Sequence, residues 1–272
     1  MDAARPSFSA VTRLAGTLVA GGVYPAGYRY APHCDERPRI SIVLQGALLE
    51  EVRSEAVYAS AASVVVKPAH VRHGNTFGPD GARLLSVVGP AGLLPELGEA
   101  SLDRWRWHHG GAPAQAALRF VRALQVAPAE AEDEVWSLFA ALVSAAEASS
   151  CDATLPDWLR RTKEQLDDAP TASPSVAALA AQADVHPVSL ARAFRRHFGC
   201  SPSGYRRRQR VRAAAHRLAT TADPAVQIAL DAGFADQSHM CRDVRAELGL
   251  TPRQVRAVSE HPWPDARPIG AS

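Results

Sequence analysis

The chain has 272 residues, room for one large domain or two modest ones, and its 30 basic and 28 acidic side chains leave a net charge of only +2. That balance excludes a uniformly polycationic nucleic-acid binder, and 47% apolar content excludes wholesale disorder. The charge is unevenly placed: 13 basic against 16 acidic residues in 1–154, then 16 against 11 in 155–260.

Cys34, Cys151, Cys200 and Cys241 are far apart and form no C-x-x-C pair, so a disulfide framework is not expected. The N-terminus carries Asp2, Arg5 and Arg13 and shows no apolar leader, which makes the cytoplasm the expected compartment. The least polar long stretch, VWSLFAALVSAAEA, is too short to span a bilayer, and no membrane partner is expected.

In chain order, residues 8–90 read as β. Short runs such as TLVAGGVY, RISIVLQG, SVVVKP and RLLSVVG recur between Gly, Pro, Asn and Asp turns, the pattern of a sandwich or barrel. From about 113 the pattern turns helical. PAQAALRFVRALQV opens on Pro113, and in AEDEVWSLFAALVSAAEA the residues Val135, Leu138, Phe139, Leu142 and Val143 share one face. ASSCDATLP (148–156) reads as a linker, residues 155–258 as almost wholly helical, and the Pro-rich tail as loose.

The helical part contains a duplication. ARAFRRHFGCSP (191–202) and CRDVRAELGLTP (241–252) align at an offset of 50, matching Arg192 with Arg242, Arg195 with Arg245, Gly199 with Gly249 and Pro202 with Pro252. Each copy reads as helix, tight turn, second helix and glycine stop. Ser175 and Asp236 are placed to cap helices, Gly233 suits one turn, and Asp184 tolerates the left-handed backbone of the other better than most residues do. The second helices present side chains suited to base edges, all polar or charged but the first: Val188, Ser189, Arg192, Arg195 and Arg196, then Asp236, Gln237, Ser238, His239, Arg242 and Arg245. Between the copies, SPSGYRRRQRVRAAAHRLAT reads as one long helix, with Arg210 among a cluster of arginines placed for phosphates or simply for solvent.

These residues resemble the C-terminal domain of the AraC/XylS family of bacterial transcription regulators, over 155–258. The resemblance implies double-stranded DNA as partner, two helices entering successive major grooves, a homodimer formed through helices at 113–148, and RNA polymerase as a partner for an activator. Val244, Val255 and the pair His239–Met240 stand where that family usually has aromatic residues, so a looser and weaker-binding second unit is expected. Further upstream, Gly27, His33, Asp35, Arg39 and Gly46, followed by KPAHVRH with His73, resemble the two cupin motifs. His33 and His73 occupy two of the usual ligand positions; Asp35 stands for a second His and Arg39 for a Glu. Two occupants follow from this: a divalent metal on His33, Asp35 and His73, or an anionic effector on Arg39 with His33 and His73 as hydrogen-bond donors. Arg39 favours the second, and no cofactor is required.

The expected fold is therefore α+β: a cupin-like β barrel over 8–90 as sensor, a helical linker and dimerisation region over 91–154, and over 155–260 an all-α DNA-binding domain with two helix-turn-helix units joined by a linker helix. The expected function is transcription regulation without enzymatic activity. The alternative is a cupin-type metal-dependent dioxygenase or isomerase that uses His33, Asp35 and His73 beside an accessory helical domain.

Overall fold

The computed structural model describes residues 5–53, 55–89, 104–148, 155–168, 174–260 and 267–268. An antiparallel sheet comes first, built from β1 (Ser7–Leu14), β2 (Thr17–Tyr24), β3 (Arg29–Cys34), β4 (Arg39–Val52), β5 (Glu55–Ser60), β6 (Val64–Lys67) and β7 (Arg72–Val88). β8 (Arg106–His108) adds to the edge at β6, and β9 (Arg267–Pro268) pairs with β1. Neither was expected: β8 lies in the stretch read as helical linker, and β9 in the tail read as loose.

β4 and β7 organise the sheet. They pair with each other along most of their lengths, and each changes its other neighbour half-way. β4 pairs with β6 over 39–42 and with β5 over 47–52, while β7 pairs with β3 over 72–76 and with β2 over 82–88. The changeover falls at Gly46 and Gly81, with φ of 72° and 69°. A Cβ on Gly46 would sit 1.9 Å from the Gly81 carbonyl oxygen, so only glycine lets the two backbones cross here. Register shifts on both sides of Gly46 bend the sheet over on itself.

Strand periodicity then sorts side chains to two faces. Ile40, Ile42, Leu44, Val64, Val66, Leu85 and Val87 are buried against helices. Arg39, Ser41, Lys67, Leu84 and Ser86, one residue out of phase, line the hollow inside the fold.

The helices are α1 (Gly111–Val126), α2 (Ala131–Ala148), α3 (Asp157–Asp168), α4 (Val176–Gln182), α5 (Pro187–Phe198), α6 (Pro202–Thr220), α7 (Ala225–Asp231), α8 (Gln237–Leu248) and α9 (Pro252–Glu260). α1 is buried on nearly all sides, with Ala114, Ala117, Phe120 and Val121 each at most 1% exposed. It packs between the sheet, α2, α8 and α9. The face expected at 113–148 for dimerisation is thus mostly internal, and the outer side of α2, with Trp136 and Ala140, is what remains exposed. One large core joins the sheet, α1, α2, α6 and α7–α9. A separate small core holds Leu159, Leu166, Leu179, Ala180, Leu190 and Phe194.

Candidate nucleic-acid interface and buried pocket

The duplication reads directly as geometry. In the first unit, α4 and α5 meet at Asp184 (φ 53°), and Val185 N donates to Ala180 O at 3.0 Å. In the second, α7 and α8 meet at Gly233 (φ 79°), and Phe234 N donates to Ala229 O at 2.9 Å, the same bond 49 residues on. Each second helix ends on a left-handed glycine: Gly199 N donates to Arg195 O and Gly249 N to Arg245 O. The starts are capped as well. Ser175 Oγ accepts from Ala178 N at 3.1 Å, and Asp236 Oδ1 from His239 N at 2.7 Å. Pro187 opens α5, with His186 Nδ1 accepting from Val188 N at 3.2 Å.

Leu190 and Phe194 turn inward on α5, as do Met240, Val244 and Leu248 on α8. The opposite faces present Val188, Ser189, Arg192, Arg195 and Arg196, and Gln237, Ser238, Arg242 and Arg245, all exposed. No ion pair holds Arg192 or Arg242 among the described residues, so both guanidinium forks are available to a ligand. Two other expected contacts have internal partners. Asp236 is occupied as a helix cap, and His239 packs edge-on against Phe234 with Nε2 3.4 Å from Asp243.

The arginines of α6 turn inward more than expected. Arg206 donates to Pro174 O, and Arg207 and Arg208 converge on the buried carboxylate of Glu247. Arg210, expected at a phosphate, instead donates to Gly233 O at 3.1 Å and lies over the Phe234 ring, bracing the second turn. Arg212 reaches the β domain, donating to Tyr58 O and Ser60 Oγ. A cleft of about 1210 Å³ separates the first unit from the sheet, with Arg196, Lys163 and Tyr205 on one wall and Tyr58 and Trp107 on the other.

Inside the β domain lies a cavity of about 330 Å³. His33, Asp35 and His73 meet at its wall, their ligating atoms all within 4.8 Å of one another. β3 pairs His33 directly with His73 on β7, and the His70 N–H bonds Asp35 O at 2.8 Å to fix the intervening turn. His33 Nδ1 lies 3.0 Å from Ala31 O and His73 Nδ1 3.0 Å from Val71 O. A carbonyl only accepts, so both Nδ1 atoms carry the proton and both Nε2 atoms present bare lone pairs in the neutral rings. Asp35 Oδ2 is buried without a hydrogen-bond partner, 3.8 Å from His73 Nε2. Burial, then the charge of Lys67, holds His73 below the usual imidazole range.

Arg39 is not free beside these acceptors. Its Nη2 is 2.7 Å from Asp35 Oδ1, and Glu50, an alternative partner for it, is taken by Lys67 at 2.5 Å. Arg39 Nε is buried without a hydrogen-bond partner, so the same wall keeps one orphaned donor beside the orphaned Asp35 Oδ2. Three converging acceptors, one of them an orphaned carboxylate oxygen, fit a cation. Sequence reasoning missed Asn75, Trp105 and Trp107, which converge on the Glu50 carboxylate, and of these Trp105 packs against His73. Their only visible signal is Lys67, one of two lysines in the chain, and the alternation W-R-W at 105–107.

A family model described as a helix-turn-helix domain matches residues 179–257. Those residues form a helix-turn-helix domain. They are similar to RhaS of Escherichia fergusonii, an HTH-type transcriptional activator, with 37% identity over 68 residues. That match covers 25% of this chain and 24% of RhaS, so the chain spans about a quarter of the curated relative's length. Among solved structures, an AraC-type DNA-binding regulator from Chromobacterium violaceum matches at 28% identity and TM-score 0.36, over 39% of this chain and 94% of that one. ToxT of Vibrio cholerae with a bound unsaturated fatty acid matches at 14% identity and TM-score 0.39, over 89% and 95%. No helix among the described residues is long and apolar enough to cross a membrane.

Proposed function

We propose that the chain is a sequence-specific transcription regulator that reads two successive major grooves with α5 and α8, under the control of a cation held in the β domain. The observation that carries the first half is the repeated unit itself: two turns with the same backbone bond, each presenting a second helix with exposed, uncommitted arginines. α6 has 19 residues, about 28 Å of helix, which with the helix radii suits recognition helices one DNA turn, about 34 Å, apart. The test is footprinting of the full chain on the DNA beside its own gene, with affinity measured from low to moderate salt. A protected pair of sites one turn apart with a steep salt slope is expected; a flat salt response would sink the reading.

The second half rests on the bare Nε2 atoms of His33 and His73 and the orphaned Asp35 Oδ2. A divalent ion there would leave coordination positions open to an oxygen ligand in the cavity. Equilibrium dialysis against zinc should give about one ion per chain, lost in both His33→Ala and His73→Ala. The same trio is what a metal-dependent enzyme would use; the DNA-binding domain at 179–257 favours a sensor. A homodimer would use the outer face of α2, and an activator would also touch RNA polymerase.

A further inference from the structure

Glu50 is wholly buried on β4, and its carboxylate is saturated by donors from four places in the chain. Oε1 accepts from Lys67 Nζ at 2.5 Å and from Asn75 Nδ2 at 2.9 Å; Oε2 accepts from Trp105 Nε1 and Trp107 Nε1, both at 2.8 Å. Lys67 and Asn75 line the cavity, and the Trp105 ring lies 4.5 Å from His73. One side of this carboxylate therefore faces the cation cluster.

The other side leads away from it. Trp105, Trp107 and His109 alternate along one strand edge, so they share a face. The Trp107 and His109 rings are parallel at 5.7 Å, and His109 Nδ1 is 3.0 Å from Ser63 Oγ. Ser63 Oγ also accepts from Ser60 N, and Ser60 Oγ accepts from Arg212 Nε at 3.2 Å. Arg212 stands in the middle of α6, the helix that sets the distance between the two recognition helices.

We propose that Glu50 is a positioning residue that couples occupancy of the His33–Asp35–His73 cluster to the linker helix, through Trp105, Trp107, His109, Ser63, Ser60 and Arg212. The inference rests on the cation reading above. Its physical basis is that one carboxylate oxygen serves both indoles, so a shift of Trp105 against a ligated His73 displaces the acceptor of Trp107. Glu50, Ser60 and Ser63 are buried, so no water takes up such a shift at those three points, while Trp107, His109 and Arg212 are half-buried along the cleft and carry it by their direct bonds and ring contact. Glu50 also cancels the Lys67 charge, which would otherwise repel a cation at His73.

The test is amide hydrogen exchange of residues 205–217 in the full chain, with and without zinc. In the native protein, zinc should change exchange in α6 by about fivefold or more, in line with ordinary coupling between sites. Trp107→Phe keeps the ring and removes the N–H that reaches Glu50. It should bind zinc with unchanged Kd and lose the α6 response. Glu50→Gln should lose the response and bind zinc more weakly. Should that variant fail to fold, Ser63→Ala, outside the cluster, gives a second break in the same route, with zinc Kd unchanged and the α6 response lost. Zinc bound with α6 unmoved, or an α6 response that survives Trp107→Phe and Ser63→Ala, overturns this inference alone. No zinc bound at His33 and His73 in the native chain overturns the cation reading and this inference with it.

Discussion

The two helix-turn-helix units share backbone geometry but not surroundings. The first closes over a small core of its own, built with α3, and faces the β domain across a cleft. The second is part of the large core. Gln115 on α1 donates to Ala246 O, Gln125 to Val258 O, Arg83 to Ser259 O, and Ser259 Oγ to Leu44 O. The β domain and the second unit thus form one block, and the first unit hangs from α6. This reverses the expectation that the second unit is the looser. Val244 and Met240 are fully buried and Val255 nearly so. Small residues in place of aromatics leave room for α1 to pack against α8 and α9, and neighbours fill what the ring does not.

The largest expected difference between the units is in core truncation. Phe194 is fully buried in the small core, tilted against Phe198 and edge-on to Tyr205. Phe194→Ala should cost about 3–5 kcal/mol. Because little else holds the first unit, the loss should appear as local opening: amides of α4 and α5 exchange freely while the β domain and α8 stay protected. Met240→Ala, at about 2–5 kcal/mol, should instead lower the melting temperature of the whole chain. Equal, global effects from the two variants would mean that the units are equally anchored.

DNA affinity gives the next contrast. Arg192→Ala and Arg242→Ala should each cost about 1–3 kcal/mol and relax sequence preference at one end of the site, a turn apart. Arg210→Ala should act through the second turn instead, lowering stability around Gly233 rather than reducing the salt slope. A loss of about one unit of salt slope in Arg210→Ala would restore it to the phosphate backbone.

How much of this could be read from the sequence depended on distance along the chain. The caps Ser175 and Asp236, the stops Gly199 and Gly249 and the turn at Asp184 are local, each set by a few neighbouring residues, and all were legible. His33, Asp35 and His73 were legible through spacing, although only the structure shows that Asp35 shares its carboxylate with Arg39. The α6 arginines were not legible in the same way. Arg206, Arg207, Arg208, Arg210 and Arg212 circle the helix at 3.6 residues per turn, and which of them meets Glu247, Gly233 or Tyr58 is decided by elements 23 to 154 residues away. Glu50 is the extreme case, since its indole partners lie 55 and 57 residues on.

Acid should act on the anchored block. His108 sits on β8 with Nε2 buried and without a hydrogen-bond partner, and burial pushes it down to about 4. His109, beside it, is held well below the ordinary range by burial and then by Arg212. The unfolded chain takes up these protons near pH 6.5 and the folded chain does not, so stability is full above pH 6.5 and falls as pH drops toward 4. Each such histidine steepens the loss of stability as pH falls below 6.5. Urea unfolding of the β domain at pH 7, 6 and 5 measures this, and His108→Phe should flatten the slope. A midpoint that does not move between pH 7 and 5 would contradict it.

The smallest contrast is between the caps. Removing a side-chain cap costs about 1 kcal/mol wherever it sits. Ser175 starts α4, a helix of seven residues in the unit with the small core. Ser175→Ala should therefore raise local opening of the first unit about fivefold, as 1 kcal/mol requires. Asp236 starts α8 in the anchored block, where the same cost is a small part of a larger cooperative total. Asp236→Ala should barely change exchange in α8. It also removes a negative charge from the exposed face, so binding to all DNA sequences should tighten slightly. Asp236→Asn separates the two possible roles of this carboxylate. Asn caps as well as Asp does, so if Asp236 serves only the helix, sequence preference is unchanged. If it also accepts a hydrogen bond from a cytosine amino group, preference shifts at one base pair, which a binding selection over randomised sites would show.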